Sequence, residues 1–250
     1  MAEDDTRKLI NRFEELASRA DKLGFPQETK FLNLAEQNVL QTRFFPVPYY
    51  LFGGYPGAER RIAVFGLDEA QAGESGYSAP IVCVAIAPAA RKFSDELTHR
   101  DFLGSLMALG ITREVLGDII IQDNTGYLFC LDSIADYVTE NLEEVKHTTV
   151  RCSRCEPPRA AANEPEPISA VIASERLDAM IAAVYRVSRE EARLLIEKGL
   201  VYIDGRLAVK PAVTLKEDAL VTVRGKGRFR FLGVERETKK QKLRVRVTVY

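Results

Sequence analysis

"SREEARLLIEKGLVYIDG" runs from Ser188 to Gly205, and its reading decides the fold of the last third of the chain. Ser188 and Glu191 stand in S-x-x-E spacing, a capping box that predicts a helix beginning at Arg189. Ala192, Leu195 and Ile196 share one helical face and point inward. Gly199 supplies the C-terminal stop. "LVYIDGRLAV" then reads as a hairpin turning at Asp204-Gly205, a dipeptide suited to a type I′ turn. Arg189 and Arg193 lie one turn apart and project together. They sit at the helix N-terminus, where free N–H groups favour an anion.

Upstream, "SERLDAMIAAVYRV" predicts a second helix with Leu177, Met180, Ile181 and Val184 inward. Downstream, "ALVTVRGKGRFRFLGV" and "QKLRVRVTVY" predict further strands. Basic side chains gather across this region: Arg176, Arg186, Arg189, Arg193, Lys198, Arg206, Lys210, Arg224, Lys226 and Arg228. In "RGKGRF" the last three alternate with glycines, which let another backbone come close. Ser174 to Tyr250 carries 18 Lys/Arg against 10 Asp/Glu, a net of +8, so the other 173 residues carry −9 of the overall −1. A basic module joined to an acidic body points to a polyanion-binding end. The competing reading of any single arginine is a solvated face balanced by Glu190, Glu191 and Glu197.

The rest of the chain follows the same rules. Leu9, Phe13, Leu16, Ala17 and Ala20 form a helical stripe ended by Gly24 and Pro26. "ETKFLNLAEQNVLQ" (Glu28 to Gln41) predicts a second helix. "RFFPVPYYLFGGYPGAERR" (Arg43 to Arg61) reads as an irregular connection, with Arg60 and Arg61 as minor phosphate contacts. "RIAVFG" (Arg61 to Gly66) is a short strand. From Pro80 the order is strand, helix, strand, strand, helix, strand, with a turn at Asn124-Thr125-Gly126. That is the split βαβ, ferredoxin-like arrangement. "EPPRAAANEPEP" (Glu156 to Pro167) has linker composition. The predicted class is α+β: a helical region over 1–57, a ferredoxin-like domain over 58–155, a linker over 156–173 and a basic α/β module over 174–250.

Several chemistries are excluded or set aside. No apolar run is long enough to cross a bilayer, and the acidic N-terminus is no secretory signal. Four cysteines are too few for a disulfide scaffold, which predicts reduced thiols and a cytoplasmic protein. Two histidines cannot build a Ser-His-acid set. "HRD" (His99 to Asp101) lacks the other kinase elements, and Asp101 instead has N-cap spacing from Thr98. "CSRC" (Cys152 to Cys155) is half a zinc site; Cys83 and Cys130 lie in core strands and do not complete it. No metal or cofactor is expected.

"SERLDAMIAAVYRVSREEARLLIEKGLVYIDGRLAVKPAVTLKEDALVTVRGKGRF" resembles the S-four RNA-binding domain in the order and spacing of its motifs. Glu190 and Glu191 depart from it. "FGGYPGAERR", "LTHRDFLGSLMALGITREVLGDIII" and "RGKGRFRF" together resemble the YlmH family across nearly the whole chain. That resemblance implies a helical part, a ferredoxin-like domain and a C-terminal S-four domain. It also implies a non-catalytic factor that binds ribosomal RNA and the large ribosomal subunit with peptidyl-tRNA, in ribosome-associated quality control. A monomer is the expected state. The alternative is an RNA-modifying enzyme that holds its substrate with the S-four domain; "RLD" (Arg176 to Asp178) resembles the catalytic aspartate motif of pseudouridine synthases, yet it falls inside a predicted helix.

Overall fold

The computed structural model describes residues 3–90, 94–159, 165–238 and 241–250. Arg91 and Lys92, a basic pair outside the S-four module, lie outside the described residues, as does part of the expected linker. The chain divides into two compact units, Met1–Asn163 and Glu164–Tyr250.

In the first unit, α1 (Glu3–Leu23) buries Phe13, Leu16, Ala17 and Ala20 of the stripe read from sequence, while Leu9 is only partly buried. Its neighbours are β1 (Gln27–Glu28), α2 (Leu34–Gln41), β2 (Tyr49–Phe52) and β3 (Ile62–Phe65), with the strands in the order β1-β3-β2. Two expectations are corrected here. The second helix is shorter than 28–41, because the Asn33 side chain caps it by accepting from the amides of Ala35 and Glu36. The "irregular" aromatic connection contains a strand, and β3 pairs with it. Ile62–Phe65 therefore extend the N-terminal layer and not the ferredoxin-like sheet, which does not begin at residue 58. Phe13, Phe45, Tyr49 and Phe65 fill this layer with edge and tilted ring contacts.

After α3 (Glu69–Ser75) comes the ferredoxin-like sheet: β4 (Ile81–Pro88), α4 (His99–Ala108), β5 (Leu116–Gln122), β6 (Thr125–Leu131), α5 (Asp132–Asn141), β7 (Glu144–Val145) and β8 (Thr148–Cys155). The strand order β5-β6-β4-β8-β7 places β6 between β4 and β5, the hallmark of a split βαβ unit. All paired strands are antiparallel. Asp101 accepts from the amide and hydroxyl of Thr98 at the start of α4. The β5–β6 turn lies at Asp123-Asn124, both with positive φ, and not at Asn124-Thr125-Gly126. Gly126 is instead a strand residue whose missing side chain admits the Phe102 ring; a Cβ there would stand 2.7 Å from it.

The second unit opens with β9 (Ile168–Ile172), inside the expected 156–173 linker. It pairs with the far strand of the module through Ile172–Leu243 to Ile168–Val247. Proline and charge upstream masked this strand in the sequence. Next come α6 (Leu177–Tyr185), α7 (Arg189–Glu197), β10 (Val201–Ile203), β11 (Arg206–Leu207), β12 (Leu220–Val223), β13 (Gly227–Glu237) and β14 (Leu243–Val249). The sheet order is β11-β10-β12-β13-β14-β9. Leu177, Met180, Ile181, Ala192 and Ile196 of the helices pack against Val221, Phe229, Val245 and Val247. The β10–β11 connection is the expected Asp204-Gly205 turn, with positive φ at both residues.

Candidate RNA interface

Asp178 organises the basic face. It lies one residue inside α6, with its side chain fully buried, and three arginines converge on its carboxylate. Arg176 donates Nε and Nη2 to the two oxygens, each at 3.1 Å. Arg189 reaches both oxygens from Nη2 at 3.1 and 3.0 Å. Arg193 donates Nε at 3.3 Å. Burial pushes this carboxyl up, and the three guanidiniums outweigh burial, so it sits below the ordinary carboxylate value.

The sequence alone places Arg189 and Arg193 on one face, one turn apart. The fold adds Arg176 from the start of the other helix, and the carboxylate fixes all three. Three positive charges meet one negative charge, which leaves a net positive cluster. Each guanidinium carries five donors in a rigid fork, more than this carboxylate takes up. The three side chains are 37%, 45% and 51% exposed. An anion approaching them meets donors already oriented, the arrangement that suits bidentate phosphate contact. Asp178 itself is enclosed and accepts five hydrogen bonds, so "RLD" here is a structural device and not an open catalytic carboxylate.

The expected capping box forms only in part. Ser188 accepts from the Glu191 amide at 3.0 Å, but the Glu191 carboxylate turns away and pairs with Lys226 Nζ at 3.0 Å. That contact explains one of the two acidic departures and ties the "RGKGRF" turn to α7. The free N–H groups expected at α7 are thus reduced by one. At α6 the amides of Leu177 and Asp178 donate to the carbonyls of Val213 and Pro211. At the start of α6 the arginine side chains, and not these two amides, are thus available to an anion.

The remaining predicted residues separate. Arg186, Lys198, Arg206 and Lys210 are exposed. Arg186 ends α6 in the left-handed conformation, φ 54°. Arg224 lies over the Tyr202 ring at 4.7 Å and Arg228 over Tyr250 at 5.7 Å. Arg60, offered as a phosphate contact, is occupied inside the first unit. Its guanidinium donates to the carbonyls of Leu116, Phe31 and Arg113, and its amide to Asp118. Arg61 donates to the Ala58 carbonyl. Burial holds the Asp118 carboxyl above its ordinary value against these partners.

Cys152 and Cys155 both lie in β8, three residues apart, so their side chains leave opposite faces of the strand. They cannot close on one metal ion. Cys155 sits directly across from Cys83, Sγ to Sγ 3.6 Å, although the sequence reading set Cys83 aside as a partner. Among the described residues, no group of three or more His, Cys, Asp or Glu side chains could hold a metal. Among them too, no helix is long and apolar enough to cross a membrane.

Comparison with known proteins now adds to this geometry. Residues 81–157, the split βαβ sheet, match the family model described as "Putative RNA-binding domain in YlmH". Residues 175–221, which hold the Asp178 cluster, match the "S4 domain". The "Ribosome-associated protein quality control protein P2" of Bacillus subtilis (strain 168) is 30% identical over 221 residues, covering 87% of this chain and 84% of that one. This chain belongs to the YlmH family. A solved structure, "Cell division protein ylmH from Streptococcus pneumoniae", shares its fold at TM-score 0.50 and 19% identity, over 65% of this chain and 97% of that one. The S4 match of this YlmH-family chain begins at residue 175, so the Asp178 cluster lies at its start, on α6, α7 and the residue that precedes α6.

Proposed function

We propose that the chain is a non-catalytic RNA-binding factor that associates with the ribosome, and that its S-four face binds ribosomal RNA on the large subunit beside peptidyl-tRNA. The observation that carries this reading is the Arg176–Arg189–Arg193 cluster fixed on buried Asp178. Such a cluster engages phosphates by charge and shape, and phosphate contacts orient a protein without reading sequence. The name of the Bacillus subtilis relative supports a ribosomal setting in quality control, which for this chain implies the cytoplasm. The working RNA-binding set is Arg176, Arg186, Arg189, Arg193, Lys198, Arg206, Lys210 and Lys226, with Arg224 and Arg228 beside Tyr202 and Thr222 on the other side of the sheet.

Co-sedimentation of the purified protein with large ribosomal subunits, with and without peptidyl-tRNA, tests the proposal. Salt-sensitive binding that increases with peptidyl-tRNA is the expected result. Salt-insensitive binding, or a change in the mass of bound RNA after incubation, would overturn it.

A further inference from the structure

The module has a second basic face. Residues directly opposite one another in antiparallel strands share a side of the sheet. Val201–Val223, Val221–Phe229 and Phe229–Val249 are such pairs, and their side chains meet the helices in the core. The alternating positions face the other way. One row there reads Leu207, Tyr202, Thr222 and Arg228. Tyr250 continues it, because its amide donates to the Arg228 carbonyl at 2.9 Å. The next row is Leu220, Arg230 and Thr248, of which Leu220 and Thr248 are buried, and the one beyond holds Arg246 beside Ser169.

This face therefore combines two tyrosines with six arginines: Arg224, Arg228, Arg230 and Arg246, with Arg236 paired to Arg244 in the row beyond. The Arg224 guanidinium lies over the Tyr202 ring at 4.7 Å from its centroid, and that of Arg228 over Tyr250 at 5.7 Å. Arg230 reaches the Tyr250 hydroxyl from Nε at 3.5 Å and donates Nη1 to the Asp218 carbonyl. Arg224, Arg246 and Tyr250 are exposed. Carboxylates are placed on this side by their contacts: Glu235 accepts from the Ser169 hydroxyl at the far end, and Glu217 lies over Gly233, the partner of Arg246, where a Cβ would stand 2.6 Å from its Oε1.

We infer that this outer sheet face is a binding site for single-stranded RNA, separate from the helix face that carries the Asp178 cluster. A guanidinium stacked on a tyrosine ring presents its own outer plane, and a nucleobase extends that stack. Two Tyr–Arg units in one row offer two base positions. Arg230 and Arg246, in the neighbouring rows, suit the phosphates between and beyond them. Duplex RNA keeps its bases paired and cannot use such a platform, whereas unstacked loops and strands can. An acidic peptide would satisfy the charges but would leave the two stacks without a planar partner. The inference rests on the RNA-binding reading above, but it assigns a different surface and a different kind of RNA.

The test uses the full chain, a short unstructured oligoribonucleotide containing 2-aminopurine, and a stable RNA stem-loop whose short loop keeps its bases stacked, so that it offers no free base to the platform. Y202L/Y250L should weaken the single strand about tenfold or more and abolish 2-aminopurine quenching, because each stacked base contributes substantially. The same variant should leave stem-loop affinity within about twofold, since phosphate contacts on the helix face persist. Y202F/Y250F keeps both ring faces and should bind the single strand like the parent. Unchanged single-strand affinity in Y202L/Y250L overturns the site, as does equal loss of both RNAs. A polyglutamate peptide that competes with the same tyrosine dependence also overturns it and makes the face a protein surface. A parent chain that binds the stem-loop but no single strand overturns this inference alone; one that binds neither RNA overturns the proposed function as well.

Discussion

One nitrogen of Arg189, Nη2, bridges both carboxylate oxygens of Asp178, eleven residues earlier in the chain. The contact joins the two S-four helices, and Arg176 and Arg193 complete it. Asp178→Asn removes the charge at its centre and leaves three guanidiniums in mutual repulsion. Breaking a buried ion pair costs about 3 kcal/mol or more. The folded Asp178 value is lowered, so its stabilisation is complete above the unfolded carboxylate value, about pH 3.9, and is lost as pH falls through the folded value. Denaturant unfolding of the parent and Asp178→Asn should therefore show a gap that is constant from neutral pH to about pH 5 and narrows below about pH 4.

Arg189 and Arg193 should matter more for RNA than basic residues elsewhere. Reversing their charge would set new carboxylates against Asp178 and compromise folding, so R189Q/R193Q is the cleaner pair. Fluorescence anisotropy with a folded RNA should show about a tenfold loss or more, from two charge-assisted contacts. K22Q/R43Q, in the first unit, should be near neutral. Equal losses would remove the localised footprint.

Arg186 holds a backbone conformation that costs an L-residue about 1 to 2 kcal/mol. Arg186→Gly relieves that cost while removing an exposed positive charge from the basic module. The variant should melt a few degrees higher and bind RNA less tightly. Paired melting and anisotropy measurements check both directions; weaker binding without the gain in stability would mean that the left-handed backbone is not strained.

Salt dependence follows from the phosphate contacts. If roughly six side chains neutralise phosphates, log affinity falls with log salt at a slope of about −4 to −5. R189Q/R193Q should flatten that slope by about 1 to 2. Titrations from low to moderate salt give both numbers.

How much of this was legible depended on whether the cause was local. Ser188 announces its helix because a cap acts over three residues, and Asp204-Gly205 announces its turn because positive φ selects those residues. The split βαβ order followed from alternating periodicities. Glu191 was unexplained because its partner, Lys226, lies on another element. Asp178 looked like part of a motif, and only the packing of α6 on α7 made it a hub. Tyr49–Phe52 hid among prolines, and Ile168–Ile172 is a strand only because Leu243–Val249 is there to pair with it. The ten basic residues were read as one footprint. The strand period in "RGKGRFRF", with Phe229 and Phe231 inward, already sent Arg228 and Arg230 to the opposite face.

The central claim is that RNA docks on the arginines around Asp178. Crosslinking the protein to ribosomes and mapping both the peptides and the nucleotides tests it most directly. Crosslinks from the peptides containing Arg176, Arg189 and Arg193 to ribosomal RNA are predicted, and they should diminish in R189Q/R193Q. Crosslinks confined to residues 81–157, with none from 175–197, would contradict the account.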